Sequence, residues 1–226
     1  MAFYTNVKAV GNQIFLRGVD DIGERFQKKI KYSTTLYVPT KDESKYKTLN
    51  GMNVKPIQPG NIRESRDFME RYKDVSNYKI FGNDNFAFAF IEDNYADDIE
   101  YDINKLVIAN IDIEVASDEG FPHAEIAASP VISIAVKFND SFYVFGFGEP
   151  DECKIEDTLK ARGIVYVSCD DEVDLLDRFL HTWNEYSPDI VTGWNVSGFD
   201  IPYLYNRLCR LHDEKVARRL SPWNYA

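Results

Sequence analysis

From residue 106 onward the apolar residues change their period once, and the order of the two periods narrows the possible folds more than any other feature. KLVIANIDIEV (105–115), VISIAVKF (131–138) and SFYVFGFG (141–148) are strand-like, and Asn139-Asp140 between the last two is a tight-turn signal. Three antiparallel strands are therefore expected between 106 and 148. GIVYVS then reads as a short apolar strand, and DDEVDLLDRFLHTWNEY as an amphipathic helix with Leu176, Phe179, Leu180 and Trp183 on its apolar face. Asp170 to Glu172 place negative charge at the positive end of that helix. DIVTGWN is a further strand and DIPYLYNRLCRL a second helix. Such an order implies a mixed sheet with helices packed on it.

The first hundred residues read differently. FYTNVKAV and QIFLRGV, separated by Gly11-Asn12, begin an antiparallel meander over residues 3–40 that continues through ERFQKKIKY and TLYVP. A helix is expected from Ile62 to Asp74, with Ile62, Met69 and Tyr72 loosely at helical spacing. FAFAFIE, Phe86 to Glu92, alternates strictly and predicts a strand with three Phe on one face. An acidic connector, EDNYADDIEYD (92–102), closes the region, which places a boundary near residue 105.

At 226 residues the chain can form one large or two modest domains, and 44% hydrophobic with 28% charged residues marks a globular protein rather than a disordered one. FAFAFI and VISIAV are its longest apolar runs, far short of the ~20 residues of a membrane span, and MAFYTNVKAV does not resemble a signal peptide. Cys153, Cys169 and Cys209 are widely spaced and without a C-x-x-C pair, which suits a reducing compartment. The net charge of −11 is uneven: residues 1–91 hold 15 Lys/Arg against 10 Asp/Glu, and residues 106–226 hold 10 against 21. An acidic half that handled nucleic acid would need metal ions or a basic neighbour to offset phosphate repulsion. Composition alone favours a plain acidic surface.

Two acidic features break the apolar pattern. Asp112 and Glu114, at i and i+2 on one strand, share a face with side-chain origins ~7 Å apart, close enough to share hydrated divalent cations. The alternative is that they face solvent at the strand end or cap the next turn. Asp200 stands near the start of the second helix, whose apolar positions are Ile201, Leu204, Tyr205, Leu208 and Leu211, with Pro202 tolerated in its first turn. Taken alone, Asp200 reads as an N-cap.

Read together, these stretches resemble one family. NIDIEVASDEGFP (110–122) resembles the first exonuclease motif of family B DNA polymerases, and TGWNVSGFDIPYLYNRL (192–208), with Asn195 and Asp200 at their spacing, resembles the second. With the FYTNV opening, the acidic connector and RLSP near the end, essentially all 226 residues resemble the amino-terminal part of the family B polymerases of T-even-type bacteriophages. The resemblance implies an α/β (α+β) chain: an antiparallel β-rich amino-terminal domain over 1–105, then a truncated ribonuclease-H-like 3′-to-5′ exonuclease domain over 106–226. It implies a two-ion Mg²⁺ site, with Mn²⁺ able to substitute, in which Asp112 bridges both ions, Glu114 holds the first and orients the water, and Asp200 holds the second. Phe121 is expected to stack on an unpaired base, and Asn195 to support substrate or a bound water; an ordinary loop role is the alternative for each. The implied partners are a single-stranded DNA 3′ end and the remainder of a polymerase, in cis or as a second chain, in the cytoplasm of an infected bacterium, with no membrane.

The family's third motif, Y-x3-D, does not follow Asp200: Tyr203 meets Arg207 and Tyr205 meets Cys209. The expectation is therefore a fragment with weak or no exonuclease activity by itself and no nucleotide-transfer chemistry. One rival is a stand-alone nuclease of the same fold, with Asp118 or Asp189 replacing the missing ligand. The other is a non-catalytic nucleic-acid-binding or assembly module of a split polymerase.

Overall fold

The computed structural model describes residues 2–76, 78–95, 97–117, 120–148 and 160–225. They divide into two compact units, Met1–Lys105 and Leu106–Ala226.

In the first unit, strands β1 (Phe3–Val10), β2 (Gln13–Val19) and β3 (Arg25–Lys31) form an antiparallel sheet in chain order. Val10 pairs with Gln13, so Gly11-Asn12 is the whole turn, and Gly11 takes the left-handed φ of 56° such a turn requires. A second antiparallel sheet has the order β4 (Leu36–Pro39), β6 (Asn53–Ile57), β5 (Tyr46–Lys47). Helix α1 (Ile62–Tyr72) starts in a capping box: Asn61 Oδ1 accepts the Glu64 amide, and Glu64 Oε2 accepts the Asn61 amide.

FAFAFIE is not a strand. It lies within helix α2 (Phe86–Asn94), whose N-cap Asn85 accepts hydrogen bonds from the amides of Ala87 and Phe88. Two residues apart on a helix means opposite sides, so Phe88 is left exposed while Phe86 and Phe90, at i and i+4, are buried with Ile14, Leu16 and Ile62. The cap and the alanines, which favour helix, outweighed the two-residue alternation. The acidic connector is docked: Tyr95 and Tyr101 set their rings edge-on to Tyr4 at 5.1 and 5.9 Å.

The second unit is a five-stranded mixed sheet of order β10-β9-β8-β7-β11, made of β7 (Ile108–Val115), β8 (Val131–Phe138), β9 (Ser141–Phe147), β10 (Ile164–Cys169) and β11 (Ile190–Thr192). The three middle strands are antiparallel as the sequence predicts, and each edge strand is parallel to its neighbour. Asn139, at φ 47°, makes the β8–β9 turn, and its side chain bridges to Leu106 O and the Ile108 amide. Helix α3 (Glu172–Tyr186) is capped by Asp171 and buries Leu175, Leu176, Phe179, Leu180 and Trp183. Helix α4 (Asp200–Leu211) adds Tyr203, Leu204 and Leu208 to the same core, followed by the short α5 (Glu214–Ala217). Burial of each large side chain of this kind contributes ~1.5–3 kcal/mol. Among the described residues no helix is long and apolar enough to cross a membrane.

Candidate active site

Strand β7 supplies the first two acids. Ala109, Ile111 and Ile113 point into the core, whereas Asn110, Asp112 and Glu114 occupy the exposed face. Pairing with β8 runs from Ala109 opposite Phe138 to Glu114 opposite Ser133, then slips so that Val115 faces Val131. A bulge of this sort re-aims the end of a strand, here the end that bears Glu114.

The third acid arrives from the other side. β11 runs only three residues, ending with Thr192 opposite Asn110. Gly193 then passes so close to β7 that a Cβ on it would lie 2.3 Å from Ile111 O, and its φ of 153° is also one a side chain disfavours. Gly193→Ala is expected to cost ~2 kcal/mol or more, read as a lower urea midpoint by tryptophan emission. An unchanged midpoint would mean that the backbone moves aside freely. Asn195, at φ 52°, follows; its carbonyl accepts the amides of Gly198 and Phe199 at 2.9 Å each, closing the turn into α4. Asn195 thus has a turn-forming role whatever else it touches.

Asp200 is not the cap of α4. Phe199 holds the N-cap position without a side-chain bond, and Asp200 is the first helical residue. Its carboxylate is instead buried, 3% exposed, and Oδ1 accepts the Ile113 amide at 3.2 Å, where β11 no longer runs beside β7. Burial pushes the Asp200 carboxyl above its ordinary value and the nearby charge of Asp112 adds to the rise, against the hydrogen bonds from its own amide and that of Ile113. The fold therefore brings the Asp200 carboxylate against the β7 backbone next to Asp112, from positions 87 residues apart in sequence at the Ile113–Asp200 bond.

Phe121 is 79% exposed, and its ring lies 5.1 Å from that of Phe199, tilted by 45°. With Ile113, Glu114, Gly120 and Phe199 it bounds a shallow cavity of ~310 Å³. Among the described residues, no group of three or more His, Cys, Asp or Glu is gathered closely enough to hold a metal ion by itself. The donors still suit a hard cation, because Mg²⁺ keeps several waters and takes one or two carboxylates together with substrate phosphate oxygens rather than a closed protein cage.

Asp189, a proposed replacement ligand, is committed elsewhere: its Oδ2 accepts the Val107 amide at 3.0 Å, at the opposite end of β7 from Asp112. Five strand residues separate that level from Asp112, ~16 Å. Asp118 lies outside the described residues.

Two residues near the site are not singled out by sequence patterns. Arg207 on α4 is buried; it forks onto Glu172 at 2.7 and 2.5 Å and donates through Nη1 to Ala127 O and Ala128 O. Tyr203 donates to Ser129 O and Asn206 to Ala124 O, so three α4 side chains tie the segment between the first motif and β8 to the helix that begins at Asp200. Trp194, beside Asn195, is 91% exposed. A buried Arg and an exposed Trp each invert the usual pattern, and nothing in their spacing announces it.

A family model described as the exonuclease domain of DNA polymerase family B matches residues 61–223. The chain is 34% identical to the DNA-directed DNA polymerase of Escherichia phage RB69 over 97% of the chain and 27% of that relative. It is 32% identical to the DNA-directed DNA polymerase of Enterobacteria phage T4 over 97% of the chain and 26% of that relative. Identity to the DNA polymerase delta catalytic subunit of Drosophila melanogaster is 35%, over 46% of the chain and 9% of that protein. The chain spans about a quarter of the length of the two phage relatives.

Proposed function

The chain belongs to the exonuclease-domain family of the family B DNA polymerases, and from that premise we propose that Asp112, Glu114 and Asp200 form a divalent-metal site for 3′-to-5′ hydrolysis of single-stranded DNA, acting as part of a polymerase. Residues 1–105 are read as the amino-terminal domain of that assembly. The observation that supports the site most is Asp200: a helix-start Asp that could cap its own helix is instead buried against β7, where it feels the charge of Asp112. Holding two carboxylates in repulsion is costly unless a cation joins them. When bound, Mg²⁺ supplies the charge that offsets the phosphate and stabilises the attacking and leaving oxygens.

The chain's own groups divide the remaining work. Asp112 and Asp200 would hold the cation, and the Ile113 amide fixes the orientation of the Asp200 carboxylate. Glu114, at the edge of the Phe121 cavity, orients the attacking water. Phe121 offers an exposed ring face to the terminal base. Because the three acids are not gathered closely enough to hold an ion by themselves among the described residues, the ion is expected to bind more tightly once substrate phosphate oxygens join them.

The test uses a 5′-labelled single-stranded oligonucleotide with Mg²⁺ or Mn²⁺. Any shortening is expected from the 3′ end, to require the ion, and to vanish in Asp112→Ala. Shortening that survives Asp112→Ala or chelation would contradict the assignment.

A further inference from the structure

Trp194 is the most exposed aromatic side chain among the described residues, 91% against 79% for Phe121. Displaying an indole to water forgoes the burial that usually places Trp inside. The exposure is not that of a loose loop, since Gly193 on one side is wedged against Ile111 O and Asn195 on the other carries the two amide bonds that close the turn. The parallel register, with Thr192 opposite Asn110, makes the chain leave the sheet near the level of Asp112 on the β11 side. Phe121 lies against Phe199, beside Glu114. Trp194, one residue past the Gly193 contact with Ile111 O, and Phe121, beside Glu114, are thus exposed rings on the two loops that adjoin the acid-bearing part of β7.

A ligand that fits this arrangement has flat apolar faces to stack and anionic groups that a cation can hold between acids. Single-stranded DNA has both. We propose that Trp194 is a stacking platform for a nucleobase of the strand bound at the carboxylate site, a second platform besides Phe121, so that the strand enters with its terminal bases unpaired. This rests on the exonuclease reading above.

The test is fluorescence anisotropy of a 5′-fluorescein oligothymidylate, protected from hydrolysis by 3′ phosphorothioate linkages, titrated with the whole chain in Mg²⁺. Trp194→Ala is expected to weaken binding by about tenfold or more, the usual worth of one base–aromatic stack, while Trp194→Phe stays within about threefold. Oligonucleotide addition is expected to quench tryptophan emission in the unchanged chain but not in Trp194→Phe. Binding by Trp194→Ala within about twofold of the unchanged chain, or no binding by the unchanged chain up to about 1 mM, overturns the proposal. So does a changed oligomeric state in Trp194→Ala without a change in affinity, which would assign the ring to a protein contact. Mn²⁺ affinity, measured separately, is expected to be equal in Trp194→Ala and the unchanged chain and lost in Asp112→Ala. Failure of the second comparison defeats the carboxylate site; failure of the stacking comparison alone defeats only the role of Trp194.

Discussion

Arg207→Ala is expected to remove ~3–5 kcal/mol of stability from the second unit, the usual consequence of breaking a buried ion pair from one side. The side chains of Arg207 and Glu172 are only 10% and 13% exposed, so the loss is barely screened by water. Truncation leaves Glu172 with the Val131 amide at 2.7 Å as its donor among the described residues, and leaves the carbonyls of Ala127 and Ala128 without the guanidinium that accompanies the left-handed backbone of Ala127, φ 44°. Arg207→Lys is expected to fall between, since an ammonium cannot reproduce the planar fork. All three tryptophans, Trp183, Trp194 and Trp223, lie in the second unit, so tryptophan emission in a urea titration reports that unit alone. A loss below ~1 kcal/mol would show that the pair behaves like a surface one.

Asp200→Asn is expected to move stability and ion affinity in opposite directions. The folded carboxyl is held above its ordinary value, chiefly by burial and then by Asp112, so the ionised form is the one the fold disfavours. Below the unfolded value of about 3.9 both states are protonated and no penalty exists; it grows as pH rises and is complete once pH passes the folded value. At neutral pH without divalent ions, Asn therefore relieves a real cost while its Oδ1 still accepts the Ile113 amide, and a gain of ~1 kcal/mol follows. The gain should disappear in acid. Adding Mn²⁺ should reverse the order, because an ion that binds only the folded state stabilises the unchanged chain more than the variant. If Asp200→Asn is less stable at every pH, the Asp200 carboxylate is a structural group and not a strained ligand.

The strands and helices around the site were legible because period and turn chemistry agree there. Asn139-Asp140, the alternation of 108–115 and the apolar face of α3 all point the same way, and Asp112 and Glu114 are found on the exposed face that alternation requires. FAFAFIE was not, since Phe at every second position satisfies a strand pattern while Asn85 and the alanines satisfy a helix. Asp200 illustrates the deeper limit. Capping is a local interaction and can be read from neighbours, but the bond to Ile113 depends on where β11 stops and how Gly193 crosses Ile111. Asp189 shows the converse, an acid plausible by type whose place at the far end of β7 is set by the parallel register. Arg207 is not legible in the sequence, because a charged residue on an amphipathic helix ordinarily marks the wet face; only the fold puts Glu172 and two carbonyls around it.

The carboxylate site is tested most directly by Mn²⁺ titration of ¹⁵N-labelled chain, read as paramagnetic broadening of amide signals. Acidic residues are plentiful, and Asp20, Asp21, Glu100 and Asp102 line a separate cavity in the first unit, so the location of the broadening is the informative result. The expected result is loss of the Asp112, Ile113, Glu114 and Asp200 amide signals at the lowest Mn²⁺ additions, abolished by Asp112→Asn. Broadening that begins at Asp20, Asp21 and Asp102, or that persists unchanged in Asp112→Asn, would contradict it.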